Sequence, residues 1–243
     1  MIFKGVNSNT IDGLIICSEP PISSSSIKIK EISIDGRDGT ITEELGYKSY
    51  NKNVEIGIKK GADLNKILKY FSGKGDLTFE NENDKVYKAA VYEQINLERL
   101  LRLRKGTVTF YCQPFKYNKN DGYKVFTDNV TNDGNIESKP IVKLEKGTTE
   151  SVDLTIGSVR FKYKFNTNDT YVEIDCEEMN ALYEGLNRNR NLDIGYEFPK
   201  LSPGNNRISV HSGDVTIKIK RKDRWLWSKY LMLQIEILVL LEI

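Results

Sequence analysis

His211 is the only histidine in the 243-residue chain, so any histidine-based metal site or Ser-His-Asp triad would have to use it. It stands in the segment RISVHSGD, which is typical of a strand end before a turn. No nucleophile or orienting carboxylate is signalled near it in the sequence, as a triad would need. We therefore expect a structural role for His211 and no catalytic residues.

Carboxylates are concentrated in the segment IDGRDGTITEE, which holds Asp35, Asp38, Glu43 and Glu44. Such a cluster could bind calcium or supply an acid–base pair. Its spacing does not match an EF-hand loop, and its glycines form neither GxGxxG nor a Walker loop. The sequence therefore predicts no metal site and no cofactor, although carboxylates from distant segments could still meet as a pair.

Charge and cysteine content narrow the possible partners. The chain has 36 Lys and Arg against 34 Asp and Glu, so its formal charge of +2 gives no strong field to attract nucleic acid or anionic lipid. Cys17, Cys112 and Cys176 are widely spaced without a CxxC motif, and we expect them to be small buried residues in a reducing compartment. The opening MIFKGVNSNT lacks the apolar stretch of a secretory signal.

Alternation of apolar and polar residues is the main structural signal, and it occurs in both halves of the chain. Because side chains of a strand point to opposite faces in turn, this pattern predicts half-buried antiparallel strands. The apolar positions are Val54, Ile56 and Ile58; Val108, Phe110 and Cys112; Val159, Phe161, Tyr163 and Phe165; Val172, Ile174 and Cys176; and Val215, Ile217 and Ile219. In the run from Ile27 to Ile34 the apolar parity shifts between Ile29 and Ile32, which predicts a bulge or a break there.

Two segments have leucines at helical spacing. In ADLNKILKYFSG, residues Leu64, Ile67, Leu68 and Phe71 follow the i, i+3, i+4, i+7 pattern, and Asp63 can cap the N-terminus, so we predict one short helix packed on a sheet. NLERLLRLRKG, residues 96–106, fits a helix or a strand, and its context favours a strand.

The chain suits two domains. The turn-rich segment 118–140 is the best boundary, and we expect a first domain at 1–130 and a second at 131–243. An apolar tail begins at about residue 227. Its run LMLQIEILVLLEI is too short and too charged to span a bilayer as a helix, so it is a final buried strand or a foreign tail, such as a frameshift would produce.

Several motifs, in their order, resemble the distal tail protein (Dit) family of tailed phages, a siphophage-type tail component. The resemblance covers about residues 1–226. It is carried by FKGVNSNTIDGLII, IDGRDGTI, KNVEIGI, ADLNKILKYFSGKGDLTF, VYKAAVYEQI and GTVTFYCQPFKY, and then by GNIESKPIVKLEKG and FPKLSPGNNRISV.

This resemblance implies a mostly β protein with an N-terminal sandwich-like domain carrying one short helix and a C-terminal galectin-like β-sandwich. It implies a homo-hexameric ring at the tail tip of the virion, made in the bacterial host cytoplasm. The ring would join the tail tube protein to tail-tip or tail-associated lysin proteins and to baseplate or receptor-binding proteins. Neither an enzyme activity nor sequence-specific nucleic acid binding follows from it.

Two other functions stay open at this point. A galectin-like sandwich could be a carbohydrate-binding module that contacts the host cell wall, although the sequence has no clear sugar-binding motif. A wall-degrading enzyme is disfavoured by the poor supply of acid–base candidates.

Gly36 and Gly39 allow backbone angles that other residues resist, and Arg37 and Asp38 would fix a turn or a subunit contact. The stretch from Glu43 to Lys52 would then be a loop or hairpin arm between strands.

Overall fold

The computed structural model describes residues 1–226, and within one helix it describes only the backbone of residues 97–99. The described residues form two compact units. The first contains Met1–Lys119 and the second Asn120–Trp225. Residue 130, where we expected the boundary, lies in the strand Asn129–Asn132, which pairs within the second unit. The tail predicted from residue 227 lies outside the described residues.

The first unit is built mainly of antiparallel strands. Its elements are β1 (Ile2–Phe3), β2 (Val6–Asn7), a 3-10 turn (Ser8–Thr10), β3 (Leu14–Ser18), β4 (Ile27–Ser33), β5 (Thr40–Tyr47), β6 (Tyr50–Ile58), α1 (Leu64–Tyr70), β7 (Gly73–Thr78), β8 (Lys85–Val91), α2 (Leu97–Leu103) and β9 (Lys105–Asn118). The main sheet has the order β2-β1-β7-β8-β9-β6-β3, and β4 and β5 form a separate two-stranded sheet.

The long strand β9 organises the core of this unit. Its first half pairs with β6, from Lys105 to Cys112, and its second half pairs with β8, from Tyr111 to Asn118. The predicted alternation is confirmed here, because Val54, Ile56, Val108 and Phe110 are all buried in one cluster.

Helix α1 confirms the predicted amphipathic segment. The Asp63 side chain accepts hydrogen bonds from the backbone N–H groups of Asn65 and Lys66, which otherwise have no partner within the helix. Ile67 and Phe71 are buried in the core of the first unit, which fixes this two-turn helix by tertiary packing.

The predicted strand at residues 96–106 is wrong, since Leu97–Leu103 forms the helix α2. The unit therefore has two short helices where we expected one. Leu100 is buried, whereas Leu101 and Leu103 are exposed. A leucine-rich segment of seven residues fits both periodicities. In the folded chain Leu100 is buried next to Gly106 of β9, which agrees with a helix that packs one side on the sheet.

The second unit is a β-sandwich. Its elements are β10 (Lys124–Val125), β11 (Asn129–Asn132), β12 (Ile141–Lys146), β13 (Ser151–Ile156), β14 (Val159–Lys164), β15 (Tyr171–Asp175), β16 (Asn180–Tyr183), β17 (Leu186–Asn187), a 3-10 turn (Asn189–Asn191), β18 (Leu192–Ile194), β19 (Gly204–Ser212), β20 (Val215–Lys220) and β21 (Arg224–Trp225). One sheet has the order β10-β20-β12-β15-β16-β17 and the other β11-β19-β13-β14-β18.

Both sheets of the second unit contribute to one apolar core. Val142 and Ile174 from the first sheet pack in the same buried cluster as Leu154 and Phe161 from the second. The half-buried antiparallel strands agree with the alternating segments, and their packing as a sandwich agrees with what the family resemblance implied. The expected fold class, mostly β with sandwich-like units, is confirmed.

A candidate assembly surface

His211 lies near the end of the strand β19, as predicted, and its side chain is exposed. Its Nε2 lies 2.8 Å from Oγ1 of Thr155. Asp153, the carboxylate that His211 influences electrostatically, is held by Arg160 through two hydrogen bonds of 2.9 and 2.7 Å. These hydrogen bonds lower the pKa of Asp153. A carboxylate already paired with a guanidinium is not positioned to orient an imidazole, so these residues do not form a triad.

The acidic residues of the IDGRDGTITEE segment are spread along a hairpin and do not converge. Asp35 and Asp38 lie in the turn, while Glu43 and Glu44 are neighbours on β5 and therefore point to opposite faces. Within residues 1–226, no group of three or more His, Cys, Asp or Glu side chains is placed to hold a metal ion. In the same residues, no helix has the length and apolar character needed to cross a bilayer.

The hairpin of β4 and β5 is the most unusual surface of the first unit. The two strands pair with each other and, in the described part of the chain, with no other strand. A two-stranded hairpin on its own is marginally stable in water. Its six large apolar side chains are nevertheless exposed: Ile27, Ile29, Ile32, Ile34, Ile41 and Leu45.

The pairing register assigns these side chains to two faces. Ile32 lies directly opposite Ile41, and Ile34 and Leu45 share their parity, so these four residues form what we call the apolar face. An exposed ion pair between Lys30 and Glu43, with a distance of 3.9 Å, lies on the same side. Ile29 pairs with Glu44 on the opposite face.

The turn of the hairpin needs its two glycines. Gly36 and Gly39 have φ values of +78° and +79°, which side chains with a Cβ rarely adopt. The backbone N–H of Arg37 donates to the carbonyl of Ile34 at 3.1 Å and closes the turn. The predicted role of the glycines is confirmed, whereas a subunit contact of Arg37 and Asp38 stays a prediction.

Two details of the hairpin differ from our expectations. The register is regular from Ile29 to Ser33, and the irregularity lies between Ile27 and Ile29, opposite Gly46 with its φ of +105°. Because both faces of the hairpin are exposed, the parity of its isoleucines carries no information about a buried side. In addition, the stretch from Glu43 is mostly strand and not a loop, and the hairpin arm lies earlier, at residues 27–47.

A buried ionic cluster in the first unit was not predicted. Nζ of Lys116 lies 2.8 Å from Oε1 of Glu82, and both side chains are almost completely inaccessible. The hydroxyl of Tyr87 donates to the other oxygen of Glu82. Lys52 is also buried, and burial together with the charge of Lys116 lowers its pKa.

A signal for this cluster exists in the sequence. Lys52 continues the inward parity of Val54 and Ile56, and Lys116 continues that of Phe110 and Cys112. Lysine on a strand usually faces water, so the residue type hides this signal.

Two of the three cysteines are buried, as predicted, and one is exposed. Cys112 and Cys176 are buried, and burial raises the pKa of both thiols, that of Cys112 to about 12. Cys17 is exposed on the edge strand β3, so the prediction of burial is wrong for this residue. The alternation around it is too short to define a buried side.

Comparisons with known proteins agree with this architecture. A family model described as the phage tail protein RIFT-related domain matches residues 10–112, and one described as the C-terminal domain of the siphovirus-type tail component matches residues 133–225. No curated protein sequence matches the chain.

One solved structure shares the fold at low sequence identity. The crystal structure of SPP1 Dit (gp 19.1), described as a paradigm of the hub adsorption apparatus in phages that infect Gram-positive bacteria, is 17% identical and has a TM-score of 0.68, covering 90% of this chain and 97% of that one. The baseplate of phage P2 in its activated conformation with Ca is 9% identical, with a TM-score of 0.45 and coverages of 89% and 93%. The two family models together span most of both units, and the chain belongs to the siphophage distal tail protein family, the structural hub proteins of the phage tail tip.

Proposed function

We propose that six copies of this chain form a closed ring at the tail tip, and that the hairpin of β4 and β5 makes the contact between neighbouring copies. The observation that carries this proposal is the apolar face of the hairpin, which leaves Ile32, Ile34, Ile41 and Leu45 exposed on two strands that join no other sheet in the described part of the chain. Contiguous exposed apolar side chains mark interaction sites. A partner surface would supply the burial that a lone hairpin lacks.

A closed ring suits the geometry of such a contact. The hairpin is one surface and its receiving site on the next copy is another, so the association is head-to-tail. Head-to-tail contacts produce filaments unless a rotation closes them, and a ring ends the assembly at a fixed number of copies.

The ring would act as a connector and not as a catalyst. We propose that it joins the tail tube protein to tail-tip or tail-associated lysin proteins and to baseplate or receptor-binding proteins, after synthesis in the host cytoplasm. The first unit would form the ring, and the second would present a surface to the other tail components. His211 has a hydroxyl neighbour in Thr155, but Asp153 is paired with Arg160 and does not orient the imidazole, which supports a role without chemistry.

Native mass spectrometry of the purified chain tests the ring directly. We expect a species of six times the chain mass of 27.8 kDa, with the fraction of ring rising with protein concentration. A chain that stays monomeric over the whole micromolar range would contradict the proposal. Saccharide binding by the second unit, the alternative raised by its galectin-like fold, stays a prediction that glycan-array binding by the full chain would test.

A further inference from the structure

The segment that leads into the hairpin is held in place by side chains. Pro20 and Pro21 have no backbone N–H and cannot pair in a sheet, so their carbonyls need donors from elsewhere. Nδ2 of Asn81 donates to the carbonyl of Pro20 at 3.1 Å, and Nζ of Lys52 donates to the carbonyl of Pro21 at 2.8 Å.

The residue before the two prolines is fixed in the same way. The carboxylate of Glu19 accepts hydrogen bonds from the backbone N–H of Glu80, at 3.0 and 2.9 Å, and from that of Asn81, at 3.1 Å. Three consecutive residues are thus attached to the turn that follows β7 and to β6.

Among these contacts, only the one made by Lys52 joins the two chain segments that flank the hairpin. Pro21 lies in the segment before β4, and Lys52 lies in the segment after β5. Closer to the strands, the hydroxyl of Ser25 donates to the carbonyl of Lys48, and the backbone N–H of Lys48 donates to the carbonyl of Ser26 at 2.8 Å. The bond from Lys52 to Pro21 closes the base of the hairpin from inside the unit.

The environment of Lys52 explains how an ammonium group can be buried there. Its Nζ lies 5.8, 5.6 and 5.2 Å from the ring centroids of Tyr50, Phe79 and Tyr87, and ring faces attract a cation. Glu82 is already paired with Lys116, and within residues 1–226 Lys52 forms no ion pair with a carboxylate, so it interacts with Glu82 only at longer range. A buried charge is costly, and an apolar side chain of similar length would serve the core equally well or better.

We propose that Lys52 is a positioning residue that clamps the base of the hairpin and sets the direction in which its apolar face is presented. This inference rests on the proposed role of the hairpin as the ring contact. The hydrogen bond from Lys52 fixes the segment before β4, and the pairing of β6 fixes the segment after β5. The hairpin is therefore held at both ends before any partner binds. Orientation fixed in advance lowers the cost of ordering on association.

Lys52→Met is the decisive variant. Methionine preserves the length and apolar stem of the side chain, and its loss of charge leaves Lys116 and Glu82 as a balanced pair, so we expect the unit to fold. Lys60→Met, at an exposed position after β6, is the matched control. Asn81→Ala removes the contact to Pro20 by an independent route.

Two measurements separate the clamp from the ring. The first is hydrogen–deuterium exchange of residues 27–47 in dilute, unassembled chain. We expect it to rise at least about tenfold in Lys52→Met, from the loss of a hydrogen bond by a charged donor, with a smaller rise in Asn81→Ala and none in Lys60→Met. The second is the concentration at which the sixfold species forms, which we expect to rise in Lys52→Met.

If hydrogen–deuterium exchange of residues 27–47 is equal in Lys52→Met and Lys60→Met, the proposed role of Lys52 is wrong, even if the ring forms normally. Faster exchange throughout the first unit would also overturn it, since Lys52 would then support the core as a whole. If the unmodified chain never forms a sixfold species, the proposed ring fails, whereas the exchange measurement still decides whether Lys52 holds the hairpin.

Discussion

Replacing Ile32 and Ile41 by threonine should weaken the ring without unfolding the chain. The two side chains face each other across the hairpin and are 39% and 40% exposed. Since full burial of an isoleucine is worth about 1.5–3 kcal/mol, covering the exposed two-fifths of both contributes about 1–2.5 kcal/mol to each contact. Losing that amount raises the dissociation constant of one contact roughly 5- to 60-fold. Threonine is β-branched, so the strand geometry is preserved.

A dilution series followed by native mass spectrometry measures this change as a shift in the concentration of half-assembly. The matched control is Ile27→Thr with Ile29→Thr, which removes apolar side chains of similar exposure, 44% and 43%, from outside the apolar face. We expect the control to assemble close to the unmodified chain, and circular dichroism should confirm strand content in both. Equal loss of assembly in the two double variants would refute the assignment of the contact to one face.

Three further predictions concern the interior and the thiols. Glu82→Gln leaves the ammonium groups of Lys52 and Lys116 without a carboxylate, so we expect denaturant unfolding of the first unit to show a loss of about 3–5 kcal/mol, with partial recovery on adding Lys116→Met. Burial raises the pKa of Asp223 from 3.8 to about 6, so protonation of this carboxyl stabilises the folded second unit. The stabilisation is fully present below pH 3.8 and is lost as the pH rises through 6. Urea unfolding from pH 4 to 7 should show a decline of about 2.5 kcal/mol in the free energy of unfolding from this group, which Asp223→Asn removes. Cys17 should be the first thiol that iodoacetamide modifies in the native chain, with the two buried thiols reacting after denaturation, as intact mass will show.

The sequence was informative wherever a strand or helix has one buried face. Phe161 and Tyr163 are buried while the lysines beside them face water, and the alternation was therefore readable. The helix α1 was equally clear, because the Asp63 cap and the spacing of its apolar residues agree. These signals come from a single chain folding around its own core.

The proposed assembly surface could not be predicted in the same way. Ile29 and Ile32 point to opposite faces of the hairpin, and both side chains are exposed. Their positions in the strand therefore do not identify a face that is buried within this chain. The family resemblance implied a ring contact, whereas the position of the hairpin arm is visible only in the folded structure. Alternation places Lys52 and Lys116 on the buried faces of their strands, but the charge of lysine favours an exposed position. Their aromatic and carboxylate neighbours come from distant parts of the chain.

The size of the apolar face also determines how the ring should assemble. Covering the exposed parts of its four side chains contributes about 3–5 kcal/mol, whereas bringing two free chains together costs an estimated 4–15 kcal/mol. One hairpin contact is therefore too weak to hold a dimer. In a closed ring each copy makes two such contacts, and the last one forms within an existing assembly at high effective concentration. Native mass spectra should then contain single chains and complete rings with few intermediates, and abundant dimers or trimers would show that another, larger surface drives the association.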